Sequence, residues 1–196
     1  MDLNYKTELL FPTPLHIFDI VDFNDMKDEL VDYAYQKKSE NDIGVSKSNV
    51  GGWQSRTMSD KSEKINSLLI DIVREFPAFK EEVNFYMDSW ININKFGDSN
   101  TKHTHPASDL SGVLWIKIPD KSGNLVFVSP HQHYSYGELY SYSEEFKDST
   151  TSFLSYETYA REGRLIIFPS YALHSVQMNK SKEDRISASF NIIINI

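Results

Sequence analysis

The sequence predicts an α+β protein that is mainly β, a β-sandwich or jelly roll braced by N-terminal helices. Three observations predict it. Helical periodicity of apolar residues is confined to the first part of the chain, up to about residue 82. From about residue 83 some seven or eight short strand-like runs follow, separated by polar turns. Aromatics make up 13% of the chain, with 12 Phe and 11 Tyr, a share that favours strands around a packed interior.

The elements follow in order. Glu8 to Ile20 read as a short opening strand that Pro12 and Pro14 break early. Asn24 looks like a helix N-cap, and Met26, Leu30, Tyr33 and Ala34 recur at helical spacing to about Lys38. Residues 39–52 are polar and contain glycine, so they read as a loop. Ser59 or Asp60 caps a second predicted helix that buries Ile65, Leu68, Leu69, Ile72 and Val73 and that Pro77 ends or interrupts. Val83–Lys95, Leu110–Ile118 and Leu125–Val128 are strands, the last two joined by the turn Asp120–Gly123. Residues 129–151 form a long Tyr/Ser-rich insertion loop, a candidate lid through Tyr134, Tyr136, Tyr140 and Tyr142. Arg164–Pro169, Ser175–Met178 and Arg185–Ile196 complete the strands, with Asn179–Asp184 as a polar turn.

With 196 residues and 40% hydrophobic content, the chain suits one domain, 1–196, divided into a helical N-terminal part (1–82) and a β core (83–196). The net charge of −8, without any Lys/Arg-rich block, argues against a nucleic-acid-binding role. There is no cysteine, so any metal must be held by imidazole and oxygen. The N-terminus lacks a signal-peptide pattern, and no apolar run approaches the length of a membrane helix. The expectation is a soluble cytoplasmic protein that does not act at a membrane.

The histidines carry the chemistry. His16 sits in the opening strand and reads as structural, and His131 and His133 read as exposed loop residues. His103 and His105 differ, because residues two apart on a strand face the same way and two imidazoles on one inward face can share a metal. His174 follows the strand ending at Pro169 and a short turn. Arg185, Ser187, Ser189 and Asn191 then form a polar stripe opposite Ile186, Ala188, Phe190 and Ile192. If that stripe faces the interior, the buried Arg185 needs an anionic partner such as a ligand carboxylate; if it faces solvent, it needs none.

These residues together resemble the iron(II)/2-oxoglutarate-dependent dioxygenases of the prolyl-hydroxylase-like branch, and within it a group of 2-oxoglutarate–iron oxygenases from bacteria and marine phages. The similarity runs through Leu10–Leu15, Gly51–Ser55, Ser89–Asn92, His103–Pro106, Ser111–Trp115, Gly163–Ser170, His174 and Arg185–Asn191. It implies a double-stranded β-helix, cupin-like in architecture. It implies His103 as the first iron ligand and His174 as the distal one, with Arg185 and Ser187 on the far carboxylate of 2-oxoglutarate. Asn92 and Trp115 are implied as further cosubstrate contacts, Trp115 standing where many relatives carry a Tyr.

The sequence departs from the family at position 105, where a carboxylate is usual and His105 stands. The third metal ligand is then His105, Asp109 or water. The implied reaction is oxidation, most simply hydroxylation, by O2 with Fe(II) and 2-oxoglutarate, and with ascorbate as an accessory reductant. The primary substrate, a protein side chain or a small molecule, is not legible. Two alternatives stand beside this reading: a three-histidine dioxygenase that does not use 2-oxoglutarate, and a non-catalytic β-helix binding domain.

Overall fold

A computed structural model of the chain describes residues 4–130 and 136–195. Its first strand, β1 (His16–Asp19), is shorter than the predicted one, and His16 packs edge-on against Phe76 with ring centroids 4.6 Å apart, a structural role. Helix α1 (Asn24–Glu40) starts at Asn24, but Phe23 occupies its N-cap and offers no capping side chain. Burial of the Phe23 ring in the core fixes that end instead of a cap. Two short strands interrupt the expected loop: β2 (Asn49–Val50) and β3 (Trp53–Gln54).

Helix α2 (Lys64–Arg74) begins later than a cap at Ser59 or Asp60 would set it. Asp60 shapes the preceding turn, its carboxylate accepting from Ser62 N at 2.8 Å and its carbonyl from Glu63 N at 3.2 Å.

The β core comprises β4 (Asn84–Asn94), β5 (Ser99–His103), β6 (Leu110–Lys117), β7 (Leu125–Val128), β8 (Ser155–Thr158), β9 (Arg164–Pro169), β10 (His174–Val176) and β11 (Arg185–Asn195). The region expected as an insertion loop carries two short helices, α3 (Tyr136–Ser141) and α4 (Glu144–Thr150). Ser143 caps α4, accepting from Phe146 N at 3.2 Å.

Among the described residues all pairings are antiparallel and build two sheets, ordered β1-β9-β6-β11-β4-β3 and β2-β5-β10-β7-β8. From β4 onward the chain passes repeatedly between them: β4, β6, β9 and β11 lie in the larger sheet, β5, β7, β8 and β10 in the smaller. That winding is a double-stranded β-helix, as the resemblance implied.

The β4–β11 ladder decides which way the polar stripe points. Met87, Ile91, Ile93, Ile186, Ala188, Phe190 and Ile192 are buried in one cluster with Leu30 and Ala34 of α1 and Leu69 and Val73 of α2. The helices thus claim the apolar face of the larger sheet, and period-two alternation turns the polar face toward the smaller sheet. Gly112, opposite Phe190, makes this packing possible: a Cβ there would lie 2.2 Å from the Phe190 ring and 2.5 Å from the Ile166 carbonyl.

Candidate metal centre and cosubstrate pocket

Between the sheets lies a cavity of about 570 Å³ lined by His103, His105 and His174 and by Arg185, Ser187, Asn92 and Trp115. His103 ends β5 and His174 opens β10, and the two are direct partners in the β5–β10 ladder. His105 lies just beyond, its backbone N–H donating to Ser170 O at 2.9 Å. One potential ligand atom from each of the three imidazoles lies within 4.8 Å of the others.

The ring orientations are set by the backbone. His103 Nδ1 lies 2.7 Å from Thr101 O and His174 Nδ1 lies 2.8 Å from Ala172 O. A carbonyl only accepts, so each Nδ1 carries the proton and each Nε2 keeps a free lone pair, the tautomer a metal ligand needs. Burial holds His174 down to about 3, assisted by its two imidazole neighbours against the opposing Ala172 bond. Burial, with His103 beside it, holds His105 down to about 4. Both rings are neutral donors at neutral pH.

Arg185 is fully buried at the other end of the cavity. Its Nη1 donates to the carbonyls of Ser122 and Gln177, while Nη2 is buried with no partner among the described residues. Burial pulls the guanidinium down to about 10, opposed by Asp98, so it stays charged at pH 7. The polar stripe faces this cavity and not solvent, since Ser187, Ser189 and Asn191 line it with Arg185. Asn92 pairs across the ladder with Ser187 and donates to Ser189 Oγ at 3.1 Å. Trp115, also opposite Ser187, is buried against Leu125, Ile166 and Phe168.

Asp109 is not at the centre. Its carboxylate accepts from Ile194 N at 2.7 Å, tying down the end of β11, and it does not line the cavity. Of the candidate lid, none of the described residues in 129–151 lines the histidine cavity. Tyr142 and Phe146 instead line a second hollow with the N-terminal segment, and Tyr140 is exposed. His131, His133 and Tyr134 lie outside the described residues, as does the side chain of Tyr136.

Sequence reasoning missed Asp88, Trp90 and Asn94, which share the cavity face of β4 with Asn92. The signal was present in the alternation of Asp88-Ser89-Trp90-Ile91-Asn92-Ile93-Asn94.

A family model described as "Putative 2OG-Fe(II) oxygenase" matches residues 88–191, just over half of the chain. The chain belongs to the 2OG-Fe(II) oxygenases. The match begins at Asp88 on β4 and ends at Asn191 on β11, so it contains all three imidazoles and Arg185.

Solved structures share the fold. A prolyl-4-hydroxylase from Pseudomonas putida is 13% identical, with a TM-score of 0.61 over 91% of this chain and 91% of that one. A prolyl hydroxylase from Trichoplax adhaerens, solved with a hypoxia-inducible-factor peptide, is 12% identical, with a TM-score of 0.61 over 91% of this chain and 83% of that one. EctD from S. alaskensis, solved with 2-oxoglutarate and 5-hydroxyectoine, is 13% identical, with a TM-score of 0.60 over 90% of this chain and 71% of that one. No curated protein matches the sequence. Among the described residues of this oxygenase, no helix is long and apolar enough to cross a membrane.

Proposed function

We propose that His103, His105 and His174 hold the iron(II) of this oxygenase as a three-histidine face, while Arg185 and Ser187 hold the distal carboxylate of 2-oxoglutarate. The observation that carries the reading is the unpaired, buried Nη2 of Arg185 in the same cavity as three converging imidazoles. A buried cation with a free donor is costly alone and is relieved by a carboxylate. The donor set also fits iron(II), for which imidazole is a good ligand. The same guanidinium disfavours a three-histidine dioxygenase that takes no dicarboxylate.

When bound, iron and 2-oxoglutarate supply the oxidising chemistry that inserts oxygen, most simply as hydroxylation of an unactivated position. The protein's own residues do the rest. The Thr101 and Ala172 carbonyls hold two imidazoles in the ligating tautomer. Arg185, braced by Ser122 and Gln177, fixes one end of the diacid, and Ser187 adds a hydroxyl donor beside it. Asn92 and Trp115 border the same space and orient what lies there. Trp115, Leu125 and Phe168 exclude water from the inner wall.

Residues 1–196 are taken as one oxygenase domain, supported by the apolar cluster that the helices and the larger sheet share. The primary substrate is a small molecule or a protein side chain, the site of action is the cytoplasm, and ascorbate serves as accessory reductant. The test is anaerobic purification with iron analysis, followed by measurement of succinate formed from 2-oxoglutarate. Wild type should retain iron and form succinate, and His174→Ala should lose both. Equal iron in the two proteins overturns the ligand assignment.

A further inference from the structure

The cavity is polarised along the β4–β11 ladder. Its inward rungs run Arg185–Asn94, Ser187–Asn92, Ser189–Trp90 and Asn191–Asp88. Successive rungs are about 7 Å apart, so Arg185 and Asp88 stand roughly 20 Å from one another at opposite ends. The imidazoles lie near the third rung, where the Trp90 ring sits 5.8 Å from that of His105. If 2-oxoglutarate reaches from Arg185 to the imidazoles, the Asp88 rung lies on the side that remains for the primary substrate.

Asp88 is the only carboxylate lining the cavity among the described residues, and it is half-buried. No described cation or side-chain donor pairs with it, and the one hydrogen bond that favours its charge comes from its own backbone N–H. Desolvation accordingly raises its pKa above the usual carboxylate value. Lys47, the other charged side chain of the cavity wall besides Arg185, is exposed beside Ser48 and makes no ion pair with Asp88. A half-desolvated carboxylate left without a partner, on the same strand face as the Trp90 side chain, is a site for a cation: the carboxylate supplies charge and an indole can supply a cation–π surface.

We propose that Asp88, with Trp90 beside it, is the substrate-specificity site of this oxygenase, and that the primary substrate presents a guanidinium or ammonium group to it. The inference rests on the oxygenase reading for the identity of the cavity but not for the binding it predicts. The class includes basic small molecules and basic side chains, united by the cation.

The probes are n-butylguanidinium and n-butylurea, nearly the same in shape and different in charge. Binding is followed by NMR on the full chain through the indole N–H signal of Trp90, assigned with Trp90→Phe. It is measured with zinc(II) and 2-oxoglutarate present, where no turnover occurs, and again with neither. The guanidinium should bind at least tenfold more tightly than the urea in wild type. The preference should vanish in Asp88→Asn and return in Asp88→Glu. Asp88→Asn must keep a dispersed spectrum and still bind both probes at about the affinity of the urea, which a general loss of fold would not allow.

Equal binding of both probes to wild type, or a preference that survives Asp88→Asn, overturns the inference. Failure of the oxygenase reading is seen separately, as absence of iron-dependent succinate formation while the charge preference persists without metal. As a second readout, Nα-acetylarginine amide should stimulate succinate formation more than Nα-acetylcitrulline amide, and Asp88→Asn should abolish the difference.

Discussion

Replacing Arg185 by Met separates what the guanidinium does for the fold from what it does for 2-oxoglutarate. The side chain is 1% exposed, its Nη1 serves the Ser122 and Gln177 carbonyls, and its Nη2 serves no described group. Removing it leaves two carbonyls short of a donor, at about 1–3 kcal/mol each. It also removes a desolvated cation without an ion-pair partner, and apolar replacement of buried charge is often neutral or stabilising by about 1–4 kcal/mol. The two effects oppose, and their mid-values, about 4 and about 2.5 kcal/mol, leave folding without ligand weaker by about 1–2 kcal/mol. Binding is different, because only the loss remains. A buried charge pair is worth about 2–5 kcal/mol, which weakens 2-oxoglutarate roughly 30- to 5,000-fold. Arg185→Lys keeps the charge but cannot serve two carbonyls and a carboxylate from one planar fork, and should fall between. The assay is calorimetric titration of 2-oxoglutarate into protein loaded anaerobically with manganese(II), beside thermal melting of the unloaded variants. Affinity of Arg185→Met within threefold of wild type would refute the assignment.

Two further outcomes follow from the same geometry. Folded His174 and His105 resist protonation down to about 3 and 4, whereas unfolded imidazoles take up protons near 6.5. Their stabilisation is therefore present above 6.5 and is lost as pH falls from there toward 4. Allowing for the partial exposure of His105, metal-free protein should lose roughly 2–3 kcal/mol between pH 7 and 5. His174→Gln should flatten that difference in thermal melts at the two pH values. Gly112→Ala should destabilise by about 1–3 kcal/mol through overpacking. Phe190→Leu in the same chain should recover only part of the loss, because the new methyl group meets the Phe190 ring and also the Ile166 backbone carbonyl, which the second substitution leaves in place; melting of both variants checks this.

Much of the site was legible because period-two alternation is local. It put His103 with His105, and Arg185 with Ser187, on shared faces before any coordinates. What alternation cannot say is which face is inside. That was settled by α1 and α2, whose apolar stripes need a sheet face to cover and take the one bearing Ile186 and Phe190. Strand β5 was hidden for a related reason. Its sequence Ser-Asn-Thr-Lys-His has no apolar alternation, and its strand character comes from pairing with β2 and β10, distant in sequence. The short helices α3 and α4 have little apolar periodicity, although Ser143 followed by Glu144 and Glu145 was a local start signal. Asp109 was weighed as a ligand on sequence proximity to His105. Hydrogen bonding to the far end of β11, which sequence distance conceals, places its carboxylate elsewhere.

The exchange of a carboxylate for His105 and the presence of Asp88 raise a question of charge that one pair of substitutions answers. A neutral imidazole leaves the proposed metal centre one charge more positive than the family pattern, and Asp88 returns one negative charge to the same cavity. Two roles for Asp88 are then distinguishable: balancing the metal, or meeting a cationic substrate. The geometry favours the second, since Asp88 lies one rung beyond Trp90 and outside the group of converging ligand atoms. Independent sites give additive effects, to within about 0.5 kcal/mol, and coupled ones do not. His105→Asp should tighten manganese(II) binding whether residue 88 is Asp or Asn. Asp88→Asn should abolish the butylguanidinium preference whether residue 105 is His or Asp. Metal affinity that falls tenfold with Asp88→Asn in the His105 protein, but not in the His105→Asp protein, would show the carboxylate acting on the metal instead.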